Sequence, residues 1–238
     1  MIKILWIIYF TFYLISSIPS LIEVRIIKKH NSKTAEQLSY LKVRSMAKHV
    51  LKISKTDVKI SGIEYIPDSN CVFVLNHQAI FDGFLVLAYI EKNISLIAKK
   101  EIKKIPIISS WFKEISTIFI DRKNLKESVK AIYKGIEMIN KGYSIVIFPE
   151  GTRSLGKQMN EFKKGSLRLA LMTKVPIVPI TLNGTYQILE KGNKVRGNKV
   201  EMIIHPPVST ENLSKEEEDG LKDKIFNIIK EGLNEEIA

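Results

Sequence analysis

Residues 71–90 read CVFVLNHQAIFDGFLVLAYI. The first five, Cys71 to Leu75, form a short uninterrupted apolar run, too short for a core helix and rich in β-branched residues, which reads as a buried strand. Asn76 to Asp82 breaks the run, and Gly83 to Ile90 resumes it at helical length. A strand that turns directly into a helix is half of a β-α-β unit. The same step recurs downstream. Short strand-like runs lie at Ile94–Ala98, Thr117–Ile120, Ser144–Phe148, Ile177–Leu182 and Val200–Ile204. Helix-like stretches lie at Phe81–Glu91, Ile107–Ile115, Leu125–Asn140 and Ser166–Thr173. Asn124 is placed to cap the third of these, and Gly142 lies just past its end. The tail from Glu211 carries Leu221, Ile225, Phe226, Ile229 and Leu233 at helical spacing, which predicts a terminal amphipathic helix packed on the domain. Alternation of this kind predicts an α/β fold with a mostly parallel central sheet covered by helices on both faces.

Composition limits what such a domain binds. The chain of 238 residues is 45% hydrophobic and 26% charged, which is ordinary for a globular protein and long enough for one substantial core. Its net charge of +12 favours anionic partners: nucleic acid, an anionic membrane or a phosphorylated substrate. Cys71 is the single cysteine, so an intramolecular disulfide and a cysteine-based zinc site are both excluded, and its apolar surroundings predict a core role.

The N-terminus narrows the partner. Ile4 to Ile22, ILWIIYFTFYLISSIPSLI, carries no formal charge, and as a helix it would be just under ~30 Å long, close to one hydrocarbon core. A secretory signal fits less well, because only Lys3 precedes the run and no small-x-small cleavage site follows before Arg25. Pro19 permits a break, so a segment entering one leaflet and a segment crossing the bilayer are both open. Next comes a basic stretch (Arg25, Lys28, Lys29, Lys33, Lys42, Arg44, Lys48, Lys52 and Lys55) with Leu38, Leu41, Val43, Val50 and Leu51 interleaved. That pattern suits a helix on an anionic leaflet, and the positive-inside rule then puts the remainder on the cytoplasmic side of a cell membrane. Membrane, rather than nucleic acid, is the expected anionic partner. Every other expected element begins after residue 28, so the remainder is expected to fold without this segment.

In an open parallel sheet, ligands gather at the carboxyl ends of the strands. After the first run comes NHQAIFD, after the second Lys99–Glu101, after the third Asp121 and Arg122, and after the fourth Pro149–Ser154, PEGTRS. A histidine, several cations and a glycine turn thus fall on one rim, a composition suited to a phosphorylated substrate beside a base. His77 is a candidate general base toward a hydroxyl, and Asp82 can turn back to its other ring nitrogen. No serine stands in a G-x-S-x-G elbow, so the attacking hydroxyl is assigned to the substrate. In the turn, Gly151 frees the backbone for close approach, the amides of Gly151 and Thr152 can face phosphate oxygens, and Arg153 can bind the same group in a bidentate manner. GTRSLGK (Gly151–Lys157) resembles a phosphate-binding P-loop, but Gln158 replaces the magnesium-binding hydroxyl and no helix start follows, which argues against nucleotide binding.

Four blocks, NHQAIFD, IFIDR (Ile118–Arg122), FPEGTRS (Phe148–Ser154) and VPIVPI (Val175–Ile180), occur in the order found in the glycerolipid acyltransferase family, and the chain resembles its bacterial 1-acyl-glycerol-3-phosphate acyltransferases. The likeness runs roughly from Ile60 to Pro207, and FPEGTRS with IFIDR upstream is its specific part. It implies that an acyl chain passes from a coenzyme A or acyl-carrier-protein thioester to the free hydroxyl of lysophosphatidic acid, giving phosphatidic acid, with no cofactor, metal or nucleic acid. Carried over by position, His77 is general base and Asp82 orients it. Arg122 and Arg153 hold the acceptor phosphate, Glu150, Gly151 and Thr152 shape that subsite, and Lys99 supplies a further cation, Lys100 being the alternative. Residues 1–58 are then the membrane helix and basic helix, and 59–238 the catalytic domain. Ala79 stands where the family often has serine, and Ser116 or Thr117 replaces a common glycine. Each polar residue has a plainer role as helix cap or surface ion pair; a related enzyme for another lysophospholipid, and a non-enzymatic protein binding anionic lipid, are the competing assignments.

Overall fold

The computed structural model describes residues 2–121, 124–192 and 194–234. In chain order the elements are α1 (Lys3–Ser16), α2 (Ile18–His30), α3 (Ser32–Ile53), β1 (Asp57–Ser61), β2 (Val72–Leu75), α4 (Phe81–Tyr89) and β3 (Ile94–Lys99). They continue with α5 (Pro106–Glu114), β4 (Ile118–Ile120), α6 (Leu125–Asn140), β5 (Ser144–Ile147), α7 (Arg168–Thr173), β6 (Ile177–Asn183), β7 (Lys199–Ile204) and α8 (Lys215–Asn234). The strands form one sheet in the order β1-β7-β6-β2-β5-β3-β4. Every pairing is parallel except β6 with β7. The fold class expected from the sequence is therefore the observed one.

Burial follows the strand sequences. VFVL of β2, SIVI of β5 and all of β6 are buried, as a sheet covered on both faces requires. β1, DVKIS, alternates between exposed and half-buried positions at the sheet edge, and this polar alternation is why it was not among the expected strands. One apolar cluster joins the strands to α1–α5; the other joins them to α6, α7 and α8. Asn124 caps α6 as expected, its Oδ1 accepting from the amides of Lys126 and Glu127, and Gly142 beyond the end has φ +95°. Leu221, Ile225, Ile229 and Leu233 of α8 are buried, as their spacing predicted. Ser116 has φ +57°, which identifies it, rather than Thr117, as the residue in a glycine-favouring conformation.

The N-terminal helices also pack on the domain. Trp6 of α1 and Leu21 and Val24 of α2 are buried in the same cluster as Phe73, Phe81 and Trp111, and Trp6 packs against Phe81 with ring centroids 5.8 Å apart. The Trp111 Nε1–H donates to Ser17 Oγ at 2.9 Å, and Arg25 and Lys28 of α2 both reach Glu114 of α5, at 3.1 and 2.8 Å. Residues 2–28 are thus stitched to the domain by these contacts. α3 spends its apolar face in the same way: Val43, Val50 and Leu51 are buried and Leu38 is partly so, leaving Leu41 exposed. The apolar face left to solvent runs along α1, where Ile4, Leu5, Ile7, Ile8, Phe12 and Ile15 are all exposed, and continues to Ile22 and Ile26 of α2.

Candidate active site

Because β2, β3, β4, β5 and β6 run parallel, their carboxyl ends share one rim, and the chain leaving β2 is fixed there by its own side chains. Asn76 is buried and mimics a strand residue: its Nδ2–H donates to the Leu182 carbonyl at 2.9 Å and its Oδ1 accepts from the Leu182 amide at 2.8 Å. Gln78 is buried as well, its Oε1 accepting from the Gly184 amide at 3.0 Å. Between these two anchors stands His77.

The His77 Nδ1 lies 2.7 Å from Asp82 Oδ2. Asp82, in the first turn of α4, is fully buried, and it also accepts from the Ala79 amide at 2.8 Å and, through Oδ1, from the Thr185 hydroxyl at 2.5 Å. A carboxylate offers only acceptors, so Nδ1 carries the hydrogen and Nε2 presents its lone pair. Nε2 has no hydrogen bond among the described residues. The imidazole stacks on Phe148 with centroids 4.2 Å apart, which fixes the ring plane. The arrangement is an imidazole held in place by a buried carboxylate and an aromatic ring.

The turn after β5 is laced to this loop. The amides of Ser154 and Leu155 donate to the carbonyls of His77 and Gln78, at 2.7 and 3.1 Å. Glu150 is buried, and its carboxylate accepts from the His77 amide at 2.6 Å and the Asn160 amide at 2.8 Å. Burial pushes its carboxyl above the ordinary glutamate value, against the opposing pull of those two amides. Glu150 is therefore turned inward as a clamp between segments. The Gly151 amide is likewise engaged inside the turn, donating to the Phe148 carbonyl at 3.0 Å, so it is not directed at a ligand as expected. Glycine suits the position because its φ is +71°; a Cβ there would lie 2.5 Å from Cε and 2.8 Å from Nζ of Lys163. Lys163 is thus a cation lying on the motif turn that the sequence reading did not single out.

Thr152 and Arg153 are exposed on the turn, and an Arg153 Nη1–H donates to Glu190 Oε1 at 3.1 Å. Lys99, at the end of β3, is exposed and sits 3.4 Å from Glu101, whereas Lys100 is tied to Asp121 at 2.5 Å. That contact leaves Lys99 the more loosely held of the two. Arg122 lies outside the described residues. No helix follows GTRSLGK directly, since α7 begins only at Arg168, in keeping with the case against a P-loop. Thr185 and Glu190 follow β6, and the strand-end rule applied to that fifth apolar run would have pointed to them.

A family model described as Acyltransferase matches residues 57–183, more than half of the chain, and spans every described candidate from His77 to Arg153. The chain belongs to the acyltransferase family. Among its relatives, a 1-acyl-sn-glycerol-3-phosphate acyltransferase of Borreliella burgdorferi is 31% identical over 195 residues, covering 81% of this chain and 78% of that protein. One of the same description from Saccharomyces cerevisiae is 32% identical, covering 77% of this chain and 63% of its own, and a chloroplastic one from Brassica napus is 34% identical. The chain spans about half the length of the Brassica protein, at 51%. The crystal structure of the 1-acyl-sn-glycerophosphate (LPA) acyltransferase PlsC from Thermotoga maritima superposes with a TM-score of 0.83 at 29% identity, covering 97% of this chain and 94% of that one.

Proposed function

We propose that this acyltransferase moves an acyl chain from a thioester to the free hydroxyl of 1-acyl-glycerol-3-phosphate, forming phosphatidic acid. The observation that carries the reading is the 2.7 Å His77–Asp82 hydrogen bond at the carboxyl end of β2, which leaves Nε2 as a free acceptor. As the acceptor hydroxyl attacks the thioester carbonyl carbon, Nε2 takes its proton. The tetrahedral intermediate then collapses, the carbon–sulfur bond breaks, and the departing thiolate recovers the proton from the imidazolium. Asp82 holds the ring in the required tautomer and stabilises its transient charge. The activation resides in the thioester, so this scheme assigns no cofactor or metal; a donor carried by coenzyme A or by an acidic carrier protein both suit a chain of net charge +12.

In this reading the exposed Arg153 and Lys99 hold the acceptor phosphate together with Arg122, with Thr152 beside Arg153 on the turn and Glu150 acting through the His77 amide. The lysophospholipid resides in a bilayer, which fits the exposed apolar face of α1. By length and composition the helical stretch Lys3–His30 could cross a membrane. Because Trp6 and α2 hold it to the domain, we read it instead as resting that face in lipid beside the rim, with the exposed Lys29 of α2 and Lys33 and Lys52 of α3 directed to the anionic cytoplasmic leaflet of the cell membrane. Residues 1–58 thus serve as the membrane-associating part and 59–238 as the catalytic part.

The phosphate assignment has a direct test. Arg153→Ala should raise KM for lysophosphatidic acid with little change in KM for the thioester, by about 10- to 150-fold if a charge-assisted hydrogen bond worth about 1.5–3 kcal/mol is lost. Initial rates across acceptor concentration measure this, and an unchanged acceptor KM would remove Arg153 from the subsite.

A further inference from the structure

The Arg153–Glu190 contact joins the phosphate subsite to the catalytic loop. Glu190 lies in the segment after β6, with its side chain only 9% exposed, while that of Arg153 is 45% exposed. Its Oε1 accepts from Arg153 Nη1 at 3.1 Å and also from the backbone amide of Ile80 at 3.0 Å. Ile80 stands between His77 and Asp82, so one oxygen atom references the guanidinium to the loop that carries the base. The same segment begins with Thr185, whose hydroxyl holds Asp82 Oδ1. Glu190 is in turn fixed by its neighbours: Ile188 is fully buried and its carbonyl accepts from the Arg196 amide at 3.0 Å.

A guanidinium has five N–H donors in a planar fork. The bond to Glu190 engages one edge, and the rest of the fork has no hydrogen bond among the described residues. Left alone on an exposed turn, an arginine samples many rotamers, and a phosphate must select one of them. A carboxylate behind one edge of the fork restricts that sampling while leaving the other edge open to two phosphate oxygens.

We infer that Glu190 is a positioning residue of this acyltransferase: it presents Arg153 to the acceptor phosphate at a fixed distance from His77. The inference rests on the reading of Arg153 as a phosphate ligand. It also distinguishes Glu190 from a competitor for the guanidinium, since a competitor would weaken acceptor binding and its removal would tighten it.

The test compares full-length wild type with Glu190→Ala, Glu190→Gln, Glu190→Asp, Arg153→Ala and the Arg153→Ala/Glu190→Ala double variant, using lysophosphatidic acid and a fixed thioester. Glu190→Ala should raise the acceptor KM about tenfold and leave kcat within about twofold, the pattern of lost binding rather than lost chemistry. Glu190→Gln keeps an oxygen able to accept from both Ile80 and Arg153 and should recover most of the loss. Glu190→Asp keeps the charge but falls one methylene short, so it should raise KM in the same direction, and it carries the test if the alanine variant does not fold. The double variant should match Arg153→Ala alone, because a residue acting through Arg153 has nothing left to position. If Arg153→Ala raises KM while Glu190→Ala and Glu190→Asp do not, or if the two effects multiply, the role of Glu190 is overturned and the phosphate reading stands. A lower KM in Glu190→Ala overturns it in favour of competition. An unchanged KM in Arg153→Ala overturns both.

Discussion

Replacing His77 by alanine should lower kcat by about 10²- to 10⁴-fold, the usual contribution of a positioned general base, with acceptor KM changed far less. Nε2 is the atom at stake, in a ring whose Nδ1 lies 2.7 Å from the buried Asp82. Asp82→Asn should be as severe, roughly 10⁴-fold on the precedent of hydrolytic triads. The structure gives the reason. Asp82 accepts from three donors, Nδ1 of His77, the Ala79 amide and the Thr185 hydroxyl, and an asparagine amide nitrogen cannot accept from any of them. The substituted side chain would either turn its nitrogen on the imidazole, forcing the wrong tautomer, or lose the charge that stabilises imidazolium. Steady-state rates at saturating donor and acceptor check both variants, and near-normal turnover in His77→Ala would remove the base from the scheme.

Deleting residues 1–28 should abolish stable folding, not merely membrane attachment. The truncation strips Trp6, Leu21 and Val24 from the core, and it leaves Glu114, with its side chain only 7% exposed, without Arg25 and Lys28. Large-to-small changes at buried Trp or Leu cost on the order of 3 kcal/mol each. Losing several at once, together with the partners of a buried carboxylate, is comparable with the 5–15 kcal/mol that stabilises a whole domain. Thermal unfolding followed by circular dichroism should show no cooperative transition for the truncated chain. A transition near that of the full chain would mean these helices are dispensable to the fold. The separate contribution of α1 to membrane binding is better probed by Ile4→Ser with Phe12→Ser, since both side chains are exposed and outside the core.

The contrast between these two regions explains what the amino-acid order reveals and what it conceals. NHQAIFD could be read as a site because its chemistry is local: a histidine and an aspartate five positions apart across a strand-to-helix step need only one turn to meet. A mostly parallel sheet likewise follows from short apolar runs such as VFVL of β2, which is buried throughout. Partners chosen across the fold are different. Glu150 looks in sequence like part of a ligand turn, but which backbone amides its carboxylate will meet depends on how the loops after β2 and β5 pack together. Glu190 meets Ile80 across 110 positions, and nothing periodic marks it. The N-terminal run carries its own ambiguity. Apolar residues all round a helix serve lipid and core equally well, and only the assembled fold assigns Trp6 inward and Ile4 and Phe12 outward.

The central claim is an acyl transfer to lysophosphatidic acid that depends on His77, and its most direct test is product formation by the purified full-length protein in detergent or vesicles. Radiolabelled lysophosphatidic acid is supplied with matched acyl thioesters of coenzyme A and of acyl carrier protein, beside the His77→Ala variant. The account predicts that phosphatidic acid accumulates with at least one of the two donors, together with one equivalent of free thiol, and that the variant forms it at least about 100-fold more slowly. No phosphatidic acid from the wild type with either donor, or equal formation by the variant, would contradict it.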